Sequence, residues 1–181
     1  MTPRLIGAAA ALALVASACG SDSATDTADA TDASASEFQV VTTVAPITSI
    51  AANVIGDCAE IIGIVPEGTN SHTFEPPPSA AELMTTADVV FINGLQLEEP
   101  TKALAETNVS DGVRIIELGD QTISPEQYKY DFSFPEDGGK PNPHLWTDPT
   151  LVKVYADIIR ETMIAELPEC TDQLDANYDQ F

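Results

Sequence analysis

Residues 38–65 read FQVVTTVAPITSIAANVIGDCAEIIGIV, and this stretch decides the fold class. Phe38 to Val44 is short and β-branched, the composition of a strand. Pro46 to Ile55 follows as a helix, with proline near its first turn where a missing N–H costs nothing. Glu60 to Val65 is a second strand. A strand, a helix and a strand within 28 residues is the unit that builds parallel sheets. The pattern repeats downstream. Ser79 and Glu82 have capping-box spacing and predict a short helix to about Thr86. Val89 to Asn93 is a third strand, Thr101 to Thr107 a helical turn or two, and Val113 to Leu118 a fourth strand. Asp148 reads as a helix cap with Pro149 at the first helical position. Leu151, Val154, Tyr155, Ile158 and Ile159 form one apolar stripe on that helix, Leu167 can extend it, and Pro168 ends it. Another helix starts near Thr171. The expectation is an α/β domain around a mainly parallel four-stranded sheet flanked by helices.

Outward from that core the chain changes character. Arg4, the apolar run Leu5 to Val15 and Ala16-Ser17-Ala18-Cys19 form a targeting segment too short to span a bilayer. Small residues running into a cysteine match a lipoprotein cleavage site, so residues 1–18 are expected to be removed and Cys19 to carry a lipid anchor; a plain secretory signal is the alternative. Either reading exports the protein and permits disulfides. Residues 19–36 are built almost wholly of Ser, Thr, Ala, Asp and Gly, cannot bury apolar surface, and predict a disordered acidic tether. The folded lobe is then 37–168, with a further helix beginning over 169–181. The 181 residues suit one domain or one and a part. Their 29 acidic and 7 basic groups give a net charge of −22, and no Lys or Arg occurs between Arg4 and Lys102. Such a chain repels phosphate, which excludes nucleic acid as a partner.

In open parallel sheets the loops leaving the C-terminal strand ends form the ligand edge. Two such loops, 66–78 and 119–147, each hold one of the chain's two histidines, His72 and His144. Neutral imidazole is a common metal ligand, and Zn²⁺ takes nitrogen or oxygen donors in tetrahedral array. The prolines around both residues stiffen the loops and lower the entropy lost on binding. Two unrelated loop histidines is the competing reading. Glu75 is a candidate to accept an imidazole N–H. Glu126, Asp131, Glu136 and Asp137 offer loose cation attraction or simply a solvated face. Trp146 is a candidate wall for the site or plain packing.

Cys58 precedes the second strand and Cys170 follows the long helix, so both belong at the edge opposite the histidines. A disulfide between them is expected; thiolate ligation of a metal is the alternative and needs them beside His72 and His144.

Several stretches, in order and spacing, resemble one family: Thr43-Val-Ala-Pro-Ile47, Gly56-Asp57, Gly68 to Ser79 (GTNSHTFEPPPS), Ala87 to Glu98 (ADVVFINGLQLE) and Pro143 to Pro149 (PHLWTDP). They resemble the zinc/manganese solute-binding proteins of ABC importers, the group that includes the adhesin lipoproteins. The resemblance implies two α/β lobes joined by one long helix, with the metal in the cleft between them. It maps the two histidines of the N-terminal lobe onto His72 and His144, and Asn177-Tyr178 resembles the segment where the linking helix begins. The other two ligands, a His or Glu and an Asp, have no counterpart here, so the sequence reads as half of a four-ligand site. The implied function is extracytoplasmic capture of Zn²⁺, with Mn²⁺ the second choice, for delivery to a membrane permease, without catalysis. A metal-dependent hydrolase and a surface adhesin with a vestigial metal site are the readings from other classes.

Overall fold

The computed structural model describes residues 38–181. The signal segment, Cys19 and the acidic tether lie outside the described residues. Four strands form one sheet: β1 (Gln39–Thr42), β2 (Glu60–Gly63), β3 (Val89–Ile92) and β4 (Arg114–Glu117). Their order is β2-β1-β3-β4 and every pairing is parallel. Each strand is shorter than its apolar run, because the chain leaves the ladder at the ligand edge. Hydrogen bonds from Thr43 N to Phe91 O (3.2 Å) and from Val65 N to Thr43 O (2.8 Å) carry the strands only slightly further.

Helices cover both faces. α1 (Ala45–Ile55), α5 (Pro149–Glu166) and α6 (Thr171–Gln180) pack on one, α2 (Pro78–Thr85) and α3 (Glu99–Asn108) on the other. Strand alternation divides the side chains between them. Val40, Val89 and Phe91 join the cluster that holds Ile47, Tyr155, Ile159 and Leu174. Val41, Val90 and Ile92 join Ala80, Met84 and Ala105. All four residues of β3 are therefore buried, whereas edge strands β2 and β4 are half-exposed. Burying each such aliphatic side chain contributes roughly 1.5–3 kcal/mol.

Three local expectations need correction. α2 starts at Pro78 behind Pro77, and Ser79 lies inside the helix and caps nothing. Proline, with its φ already helical, defines this start instead of a capping box. α4 (Leu118–Thr122) occupies residues that read as the start of a polar loop. On α5 the buried face is Tyr155, Ala156, Ile159, Thr162 and Met163, while Val154 is 39% exposed. Tyr155 and Ile159 of the expected stripe are buried and Leu151 and Ile158 are half-buried against the same core, so only Val154 falls off it, and Ala156 and Met163 extend the buried face on the other side. The cap holds as expected: Asp148 Oδ1 accepts from Thr150 N at 2.8 Å, with Pro149 next.

A disulfide joins Cys58 to Cys170 across 112 residues, with Cα atoms 6.1 Å apart. It fastens the end of α1 to the turn between α5 and α6, and it closes the thiolate alternative. Beside it Asn177 Nδ2 donates to Val54 O at 3.1 Å. Gly56 sits at φ 57°, and a Cβ there would lie 2.7 Å from Asn177 Nδ2, so glycine permits both the turn and the contact. Among the described residues no helix is long and apolar enough to cross a membrane.

Candidate metal centre

The loops that follow β2 and α4 meet at the C-terminal edge of the sheet. His72 Nε2 and His144 Nε2 lie 3.2 Å apart, although 72 positions separate them in the chain. Two nitrogens bound to one Zn²⁺ at about 2.0–2.1 Å and the tetrahedral angle are about 3.3–3.4 Å apart. The pair thus has the spacing of two ligands on one ion.

The same local device sets both histidines. Asn70 Oδ1 accepts the backbone N–H of His72 at 3.0 Å, and Asn142 Oδ1 accepts that of His144 at 3.0 Å. Each is an Asx turn, in which a short amide side chain replaces a backbone acceptor two residues on. Asn142 does more. Its Oδ1 also lies 2.7 Å from His144 Nδ1, and its Nδ2 donates to Asp131 Oδ2 at 2.6 Å. An oxygen that already accepts a backbone N–H is an acceptor toward the ring as well. His144 therefore carries its proton on Nδ1 and points the bare lone pair of Nε2 at His72. The chain Asp131–Asn142–His144 orients the ring and raises its basicity at Nε2. Asp131 is held below the usual carboxylate range, first by the Asn142 amide and then by Ser133 N–H.

Aromatic rings wall the pair. Phe134 lies 5.7 Å from the His72 ring and 5.4 Å from the His144 ring, centroid to centroid. Trp146 meets His144 edge-on at 5.0 Å. Burial among these groups, and next the charge of His72, lower the His144 pKa from its ordinary 6.5; Asp131 opposes them. His72 is exposed, and His144 half-buried. His72 opens onto a cleft of about 180 Å³ lined also by Gln96, Phe134 and Lys140. A larger surface groove, about 650 Å³, runs along α1 and β2 past Thr48 and Gly63, and holds no histidine.

Of the sequence candidates, His72, His144, Asp131 and Trp146 come together. Glu75 does not: it is exposed and hydrogen-bonds to neither imidazole, because the proline run 76–78 leads the chain away into α2. Asn142 takes the place expected of it. Glu126, Glu136 and Asp137 are exposed and stay off the pair, and Asp148 serves only as the cap. Among the described residues no third His, Cys, Asp or Glu joins the two histidines.

Behind the pair lies a buried polar hub that the sequence did not advertise. Asn93, fully buried at the end of β3, donates from Nδ2 to Pro143 O (3.1 Å) and accepts at Oδ1 from Tyr155 OH (3.0 Å). Its backbone N–H donates to Glu98 Oε1 at 2.6 Å, and Thr43 Oγ1 donates to the same oxygen at 2.6 Å. Glu98 is 2% exposed, and its burial raises its pKa. Gly94, Leu95 and Gln96 follow with φ of 78°, 52° and 60°, a left-handed turn closed by Leu97 N to Gly94 O at 3.1 Å. Two of these carry side chains, so the turn holds backbone strain. Asp120 Oδ2 anchors it by accepting Leu95 N–H at 2.8 Å, and a Cβ on Gly94 would run into that carboxylate.

Comparison with known proteins identifies the family. Residues 40–181 match the family described as ZnuA, zinc-uptake complex component A, periplasmic. The chain belongs to that family. The manganese-binding lipoprotein MntA of Halalkalibacterium halodurans is 31% identical over 170 residues, which are 94% of this chain and 52% of that protein. The manganese ABC transporter substrate-binding lipoprotein PsaA of Streptococcus pneumoniae is 30% identical over 158 residues, 80% of this chain and 46% of PsaA. The solved structure of a Mn-bound periplasmic metal-binding protein from Candidatus Liberibacter asiaticus superposes with a TM-score of 0.68 at 25% identity, covering 79% of this chain and 51% of that one. The chain thus spans about half the length of the relatives it matches, and its parallel α/β architecture is the one expected from the sequence.

Proposed function

We propose that this chain captures a divalent transition metal outside the cytoplasm through His72 and His144, for delivery to an ABC importer. The observation that carries the reading is the 3.2 Å approach of the two Nε2 atoms at the rim of the sheet. One lone pair is already presented by the tautomer of His144, and the other becomes available when His72 moves its proton to Nδ1. Nitrogen donors at tetrahedral spacing favour zinc as the ion, with manganese second. Two protein nitrogens leave the remaining positions of the ion to other donors. Residues 37–168 act as the N-terminal lobe and 169–181 as the start of the linking helix. Cys19 is the lipid anchor that keeps the protein at the membrane, in keeping with relatives that are lipoproteins of ABC transporters. The role is capture and release, without turnover.

Titration calorimetry with Zn²⁺ and Mn²⁺, on the wild type and on His72→Ala and His144→Ala, tests it. Saturable one-to-one binding that either substitution weakens at least about tenfold, leaving one imidazole on the ion, is expected, with Zn²⁺ the tighter. Binding unaffected by both substitutions refutes the site, and tighter Mn²⁺ refutes the choice of ion.

A further inference from the structure

We infer that Asn93 is a positioning residue for the metal pair: its side-chain amide holds the loop carrying His144 at the height where the two imidazoles meet. This rests on the metal reading above. His144 stands directly after Pro143, and the carbonyl of Pro143 accepts from Asn93 Nδ2 at 3.1 Å. Pro143 cannot donate a backbone N–H, so its carbonyl is the backbone handle that residue offers. Asn93 is rigid enough to serve as the fixed end. It is fully buried at the end of the central strand β3, and its own carbonyl accepts Gly119 N–H at 2.8 Å.

The amide is also held in one orientation. Tyr155 OH donates to Oδ1 at 3.0 Å, which leaves Nδ2 to donate one hydrogen to Pro143 O and the other to Gly94 O at 3.1 Å. Glu98 grips the backbone N–H of Asn93 from the other side. One side chain therefore ties β3, α5 and the His144 loop together. The Asn142 relay acts differently: it turns the ring of His144, whereas Asn93 sets where the loop sits. A change of a few tenths of an ångström in that loop moves one nitrogen of the pair and leaves the other, held by Asn70, in place.

Asn93→Asp is nearly isosteric. It keeps an acceptor for Tyr155 and removes the donor to both Pro143 O and Gly94 O. Tyr155→Phe leaves Asn93 intact and removes the group that orients it; it carries the test if the aspartate variant does not fold. Asn177→Ala is the control. It breaks a buried-edge hydrogen bond to Val54 at the opposite end of the sheet. For each variant, Zn²⁺ affinity is measured by chelator competition, the thermal midpoint without metal, and the visible spectrum of the Co²⁺-loaded protein.

Asn93→Asp and Tyr155→Phe are expected to weaken Zn²⁺ binding about tenfold, the lower end for groups that orient a ligand. They should also shift the Co²⁺ bands, while Asn177→Ala lowers only the thermal midpoint. If all three variants lose stability and keep affinity and spectrum, Asn93 is a structural residue and the inference falls. If the wild type and His144→Ala behave alike toward Zn²⁺, the metal reading has failed and takes this inference with it.

Discussion

Replacing Asn142 with alanine tests the geometry of the centre at its most informative atom. Asn142 Oδ1 accepts both the backbone N–H of His144 at 3.0 Å and the ring Nδ1–H at 2.7 Å. Asp131 polarises the amide from behind at 2.6 Å. Each hydrogen bond is worth about 0.5–1.5 kcal/mol net, so the pair together amounts to roughly 1–3 kcal/mol. Removing a group that orients a metal-bound histidine costs about 10–100-fold in affinity, or about 1.4–2.7 kcal/mol. The two ranges overlap near 2 kcal/mol, about a thirtyfold loss in Zn²⁺ affinity. The ring then turns freely about its outer bond, and the Nδ1 and Nε2 protonated forms compete, so Nε2 presents its lone pair only part of the time. Chelator competition reads the affinity, and circular dichroism without metal reads whether the loop change spreads into the fold. Asp131→Asn, which removes only the charge behind the relay, should weaken binding by less than Asn142→Ala does. An Asn142→Ala protein that stays folded and binds Zn²⁺ within twofold of wild type would refute the relay and the tautomer derived from it.

Other expectations follow from the rest of the fold. Reduction of Cys58–Cys170 frees a loop of 112 residues, which the chain-entropy model values at about 5 kcal/mol. Urea unfolding with and without a phosphine reductant should show a large fall in midpoint, with metal affinity of the still-folded protein unchanged. An unchanged midpoint contradicts the disulfide's role. Glu98 has a folded pKa above its ordinary 4.5. Between that value and the folded one, the folded chain keeps a proton that the unfolded chain has lost. Wild-type stability relative to Glu98→Gln should therefore fall as pH rises through this window and level off above it. A stability difference that does not change with pH over that window shows that Glu98 is not buried as described. Phe134→Ala removes the ring that walls both imidazoles and should raise the pKa of His144 toward its ordinary value, read from its ring proton shifts in NMR titration; an unmoved titration means the ring does not desolvate the site.

The fold was legible because its signals are periodic. Phe38 to Val65 declares strand, helix and strand by composition and by Pro46, and the structure places β1, α1 and β2 there in parallel register. Val154 was misplaced for a physical reason: a helix that packs between a sheet and another helix buries small Ala156 and polar Thr162 when geometry demands it, whatever their hydropathy. The site was half legible. Two histidines, each in a proline-stiffened loop after a strand, stand out in a chain with no others. The residues that organise them do not. Asn142 reads as one more turn former, and only the repeated Asn-x-His spacing at 70–72 and 142–144 marks it out. Phe134 is one of four aromatics in the alternating run Tyr128, Tyr130, Phe132 and Phe134, and composition does not say which of them faces the histidines. Glu98 resembles an exposed acid at a helix start until Thr43, 55 positions away, and the nearby Asn93 close over it. Leu95 and Gln96 carry no composition cue for a left-handed turn, because the surrounding contacts impose it. Glu75 stands three residues from His72 along the chain, yet it is exposed and hydrogen-bonds to neither imidazole.

X-ray absorption at the zinc edge of the Zn²⁺-loaded protein addresses the account most directly. Two imidazoles in the first shell, at about 2.0–2.1 Å, reduced to one in either His72→Ala or His144→Ala, is the predicted spectrum. A shell of oxygens with no imidazole scattering, or one that neither substitution alters, contradicts it.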